Sequence, residues 1–95
     1  QAGLELLETG YRCHRGEIDL IMRDGQELVF VEVRYRRNDR FGGAVESVDQ
    51  RKQQRLLLTA RHFMLTRNID SACRFDVVGI TGTKHLEWVK NAFGE

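Results

Sequence analysis

The chain has 95 residues, 41% of them hydrophobic and 31% charged, with a formal net charge of +1, which bounds it to one small domain with a modest core. No apolar stretch nears the roughly 20 residues of a membrane span, and no basic start with an apolar run reads as a signal peptide. Two cysteines, Cys13 and Cys73, are too few for a disulfide or zinc scaffold, so reduced thiols in a cytoplasmic protein are expected.

From the N-terminal side, residues 2–9 (AGLELLET) suit a short helix or helix end, stopped by Gly10. Residues 17–22 (EIDLIM) read as a strand, Asp24-Gly25 as a hairpin turn, and 27–34 (ELVFVEVR) as the return strand, rich in β-branched and aromatic residues. The polar, glycine-bearing stretch 36–46 (RRNDRFGGAVE) is a loop. Ser47-Val48-Asp49-Gln50 has the S-x-x-Q form of a capping box and opens a helix that runs to about residue 66. Leu56, Leu57, Ala60, Phe63 and Met64 form its apolar stripe, with Arg51, Lys52, Arg55 and Arg61 largely elsewhere. Asn68 is a stop, 74–80 (RFDVVGI) a third strand, Thr81-Gly82-Thr83 a turn and 85–89 (HLEWV) a last strand. This order predicts a single α/β domain over residues 1–95, a mixed sheet with flanking helices.

The charge is unevenly laid out. Residues 1–32 hold seven acids against three bases, whereas 33–67 hold nine bases against three acids. Twelve of the fifteen bases are arginine, whose planar fork matches phosphate oxygens. A near-neutral total is therefore compatible with a local basic face for nucleic acid, although the same arginines also read as solvated helix and loop surface.

Side chains alternate along a strand, so Glu17, Asp19 and Ile21 are expected on one face and Ile18, Leu20 and Met22 on the other. On the partner strand Leu28, Phe30, Glu32 and Arg34 share a face. Glu32 lies in VFVEV, a context that buries it, and a buried carboxylate needs a cation, a donor or a proton. A tight hairpin brings Asp19 and Glu32 side by side, where a divalent cation bound through oxygen, Mg²⁺ or Mn²⁺, would relieve their repulsion. The competing reading is a salt bridge from Glu32 to Arg34 or another arginine, with Asp19 on a solvated rim.

At these residues the sequence also resembles a known family. GEIDLIMRDGQELVFVEVRYR is similar to the core of the YraN family of bacterial proteins, and the likeness continues through FGGAVESVDQRKQQRLLLTARHF, CRFDVVGI and WVKNAF, nearly the whole chain. The resemblance implies a restriction-endonuclease-like three-layer core, and Asp19 followed by Glu32-Val33-Arg34 fits that superfamily's Asp, spacer, (Asp/Glu)-x-Lys signature. It further implies a Mg²⁺-dependent hydrolase of phosphodiester bonds in DNA or RNA, with a likeness to branched-DNA resolvases. Asp19, Glu32 and the Val33 carbonyl would hold the metal, Arg34 would contact the scissile phosphate, and Glu17 is the extra acid of the GEID run. Arg36, Arg37, Arg40, Arg51, Lys52 and Arg55 are expected on the nucleic-acid backbone, with DNA the first choice of partner. A homodimer would suit the cutting of two strands.

The chain departs from the pattern in three places. Arg34 stands where the superfamily has lysine, and arginine holds its proton near neutrality, so it can orient water or stabilise charge but not act as a base. A base role would pass to metal-bound hydroxide or Glu17. Lys52, one turn into the long helix, is read first as helix surface and second as an ammonium displaced into the site. The family also has a strand and turn between its first helix and the GEID strand, for which GYRCHRGEID leaves little room, so either that segment is deleted or a loop is missing from this chain near residues 10–12; the family's glutamate ahead of its first helix lies before the point where this sequence begins. The rival function, favoured by Arg34, is a non-catalytic nucleic-acid-binding or protein-interaction module on the same fold. Asp76 is read as structural and paired with an arginine. His14, His62 and His85 lack metal-ligand spacing, and Tyr35, Phe41 and Trp88 are read as core or rim rather than base-stacking residues.

Overall fold

A computed structural model describes residues 3–37, 43, 45–82 and 85–94. Its elements are β1 (Leu4–Cys13), β2 (Gly16–Asp24), β3 (Glu27–Arg36), a 3₁₀ turn (Val45–Ser47), α1 (Gln50–Thr66), β4 (Cys73–Thr81) and β5 (His85–Phe93). The strands form one sheet in the order β1-β2-β3-β4-β5. Only β3 and β4 run parallel, joined by the crossover through α1 that a parallel pair requires. The α/β class and the mixed sheet agree with the sequence reading. The flanking layers do not, because one α-helix, on one face, is found among the described residues.

The helix expected over residues 2–9 is instead the start of β1, antiparallel to β2. An isolated helix of that length is marginal in water, while β2 offers the segment a backbone ladder, interrupted by an irregularity between Leu6 and Glu8. Gly10, expected as a stop, lies inside the strand with a φ of 61°. A strand ahead of the GEID run, for which there seemed to be no room, is thus present as β1.

Side chains on the helix face form the larger core: Ile18, Ile21, Leu28, Phe30, Phe75 and Val77 pack against Leu56, Ala60 and Phe63. Met22, Val29, Val31 and Val78 form a second cluster on the opposite face. Ile18 and Ile21 share a face although three residues apart, so strict alternation in β2 fails between Ile18 and Leu20, at Asp19. Thr9 pairs with Leu20 and Tyr11 with Ile18, which places the left-handed Gly10 opposite the same point.

The start of α1 also departs from expectation. Asp49 caps it, its carboxylate accepting from Lys52 N at 2.8 Å, since a charged acceptor suits the positive helix end. Ser47 lies in the 3₁₀ turn and accepts from Arg34 Nε at 3.0 Å. At the far end Asn68 adopts a φ of 55°, and Ile69 N donates to Met64 O at 2.8 Å, a Schellman closure at the expected stop. β5 continues four residues past its expected end to Phe93.

Candidate active site

The β2–β3 ladder ends at Leu20 and Val31. One step further the Asp19 carboxylate takes the place of backbone, its Oδ2 accepting from Val33 N at 2.8 Å. A strand residue turns its N–H and C=O toward the same neighbour, so the Val33 carbonyl opens into the gap that Asp19 enters. Glu32 points to the helix side, as do Phe30 and Leu28, and is 5% exposed.

Two cations converge on Glu32 Oε2: Lys52 Nζ at 3.1 Å and Arg34 Nη1 at 3.4 Å. Arg34 is held from behind by Ser47, through the hydroxyl at 3.0 Å and the carbonyl at 3.3 Å. Burial pushes the Glu32 carboxyl above its usual range; the hydrogen bond from Lys52 opposes this and the neighbouring charge of Asp19 adds to it. Lys52 is therefore not mere helix surface. Capping by Asp49 sets the phase of α1 so that Lys52 faces β3.

The structure thus brings together Asp19, Glu32, Arg34 and Lys52, with the Val33 carbonyl beside them. Glu17 stands apart, half-exposed and paired with Arg12 at 3.1 Å. Arg37, Arg51 and Arg55 are exposed, Arg36 reaches toward Thr81 Oγ1 at 3.5 Å, and Arg40 lies outside the described residues. Among the described residues no three His, Cys, Asp or Glu side chains converge. A metal would rest on the Asp19 and Glu32 carboxylates and the Val33 carbonyl, with water completing the shell. That all-oxygen set fits a hard cation such as Mg²⁺ or Mn²⁺.

Asp76 is fully buried and structural, as expected. It accepts from Arg74 Nε at 3.0 Å, Arg74 Nη2 at 3.3 Å, Trp88 Nε1 at 2.8 Å and Asn91 N at 2.9 Å. One grouping escaped the sequence reading. Tyr11 Oη and His62 Nδ1 share a hydrogen bond at 2.5 Å, and His14 meets His62 edge-on, with ring centroids 6.3 Å apart. The contact joins residues 51 positions apart and depends on β1 being a strand. An apolar groove lined by Leu57, Met64, Phe75 and Phe93 opens between α1 and β4–β5, and none of the candidate site residues lines it.

The family model of the uncharacterised protein family UPF0102 matches residues 1–80. The chain belongs to this family. A UPF0102 protein of Nitrosomonas europaea is 54% identical over 97 residues, covering 100% of this chain and 82% of the relative. A UPF0102 protein of Serratia proteamaculans is 55% identical over 96 residues, covering 98% and 81%. One from Methylococcus capsulatus is 50% identical over 93 residues, covering 95% and 76%. This is the YraN family that the GEIDLI and VFVEVR runs resemble. No helix of this UPF0102 chain, among the described residues, is long and apolar enough to cross a membrane.

Proposed function

We propose that this UPF0102 protein is a Mg²⁺- or Mn²⁺-dependent nuclease of restriction-endonuclease-like fold, acting on phosphodiester bonds in DNA before RNA, with branched or structured DNA the preferred substrate. The observation that carries the reading is Glu32: a nearly buried carboxylate, 5% exposed, beside Asp19 and under two cations. Fold stability alone gives no reason to keep an acid there, and perturbed acids in such settings cluster at functional sites.

Asp19, Glu32 and the Val33 carbonyl would hold the metal, which when bound lowers the pKa of a coordinated water and offsets charge on the phosphorus oxygens. Arg34, fixed by Ser47, would hold a phosphate oxygen through a guanidinium that keeps its proton. Lys52 is the cation at the site with a proton it can exchange, and takes the place that Arg34 leaves vacant in the superfamily signature. Arg37, Arg51 and Arg55 would hold the nucleic-acid backbone, with the protein at work in the cytoplasm, alone or as a homodimer.

A second reading has its own observation: Lys52 and Arg34 already neutralise Glu32, which suits a binding module that kept the fold without catalysis. Incubation with linear, single-stranded and branched DNA, with and without Mg²⁺ or Mn²⁺, separates the two. Cutting that is lost in Asp19→Ala and Glu32→Ala while binding survives supports the nuclease. Binding without cutting under either metal supports the module.

A further inference from the structure

We infer that the substrate strand leaves the Glu32 site along the seam between α1 and the β1–β2 turn, a track formed by Lys52, Arg51, Arg55, Arg15, His14 and His62. This rests on the nucleic-acid reading above and gives it a direction.

The track follows from how the chain folds. At 100° per residue, Lys52, Arg55 and His62 fall within about 80° of arc on α1. They span about 15 Å at 1.5 Å per residue, which matches roughly four nucleotides at the duplex rise per strand. The β1–β2 turn is pressed onto this face. A Cβ on Gly16 would lie 3.1 Å from Thr59 Oγ1 and 3.7 Å from Arg55 Cβ. Thr59 is fully buried there, its hydroxyl donating to Arg55 O at 2.7 Å. The turn therefore carries Arg15 and His14 alongside the helix, and His14 meets His62 where Tyr11 holds that ring.

The ion pairs point the same way. Arg12, Arg23, Arg67 and Arg74 are each tied to a carboxylate, Arg12 by Glu17 at the edge of the β1–β2 turn and Arg67 by Glu8 beside Tyr11. Arg15, Arg51 and Arg55 are exposed and make no ion pair with the described residues. Unpaired guanidiniums in a row beside a buried carboxylate suit a string of phosphates.

The test is fluorescence anisotropy with a labelled oligonucleotide across a salt series, using Arg15→Ala, Arg55→Ala, their double variant and, as a control, Lys90→Ala on β5, with melting curves to check folding. The slope of log K against log salt falls by about one for each track arginine removed and by about two in the double variant, while Lys90→Ala leaves it unchanged. Wild-type-like slopes in Arg15→Ala and Arg55→Ala overturn the track and leave the nuclease reading standing. Track-dependent binding without metal-dependent cutting supports the track and overturns the catalysis. No binding by the wild-type chain overturns both.

Discussion

Replacing Asp76 by asparagine keeps the side chain's shape and removes the charge that four donor contacts address. Asp76 is 0% exposed, and its partner Arg74 is only 11% exposed. Arg74 is held charged well above its ordinary range, chiefly by its hydrogen bond to Asp76. Removing one member of a buried pair costs about 3–5 kcal/mol. Because Arg74 keeps Asp24 at 2.9 Å and Glu27 at 3.3 Å, Asp76→Asn belongs at the lower end, about 3 kcal/mol. In either orientation the new amide would also turn its NH2 toward a donor, Asn91 N at the Oδ1 position or Trp88 Nε1 at the Oδ2 position. A chain of this size has about 5–14 kcal/mol in all, and at 4–8 °C per kcal/mol the melting temperature falls by about 12–24 °C. Urea unfolding read from the emission of Trp88, the one tryptophan, measures this directly. A shift below about 1 kcal/mol at unchanged m-value would falsify the view that Asp76 anchors β4 to β5.

Other substitutions test the site. Glu32→Gln removes a charge whose burial the fold resists, so it melts above wild type at neutral pH, Lys52 and Arg34 each being about one-third exposed and free to turn to water. The raised pKa of Glu32 means that its favourable contribution is full below 4.5 and is lost as pH rises through the folded value. The margin of Glu32→Gln over wild type therefore closes on acidification, and an equal margin at acid pH refutes the assignment. Mg²⁺ or Mn²⁺ at ten times its Kd stabilises by about 1.4 kcal/mol, a rise of roughly 6–11 °C that Asp19→Ala abolishes. Lys52→Arg keeps a cation on Glu32 but not an exchangeable proton, so single-turnover cleavage drops by about 10²-fold or more if Lys52 moves a proton; a rate near wild type limits Lys52 to charge. Gly16→Ala drives a methyl against Thr59 Oγ1 at 3.1 Å and destabilises by about 1–3 kcal/mol, read by melting.

The parts of this molecule that could be read from its sequence are those whose signal is local. ELVFVEVR declares a buried strand, Asp24-Gly25 a hairpin, and Asn68 a left-handed stop. The parts that could not are decided by distant partners. LELLET has helical composition, yet the open edge of β2 offers it a ladder, and that pairing outweighs propensity. The face of Ile18 was misassigned because Asp19 and Gly10 interrupt the alternation where β1 crosses β2. Ser47 satisfies the capping pattern, but Arg34 takes its hydroxyl, and the cap passes to Asp49. The site divides in the same way. That Asp19 and Glu32 lie close was legible because the hairpin pairs the strands up to Leu20 and Val31, one step short of them, whereas Lys52 depends on the phase of a helix that begins after a loop.

The near-neutral total hides how the charges are arranged in the fold. Most acids of the first third meet an arginine within the fold: Glu5 with Arg23, Glu17 with Arg12, Glu8 with Arg67, and Asp24 and Glu27 with Arg74. Exposed pairs of this kind add little stability, but they remove those arginines from competition for an outside anion. What stays uncompensated is local. Arg37, Arg51 and Arg55 lie beyond the C-terminal part of β3 and on the first two turns of α1, the same end of the sheet that holds Asp19 and Glu32. On the nucleic-acid reading proposed above, buried Glu32 with part-buried Asp19, beside these guanidiniums, would attract a polyanion while offering a bridging cation a place to bind. For a partner of that kind the charge of the whole chain is the wrong scale, because attraction at contact is set by charges within about a Debye length of the phosphate.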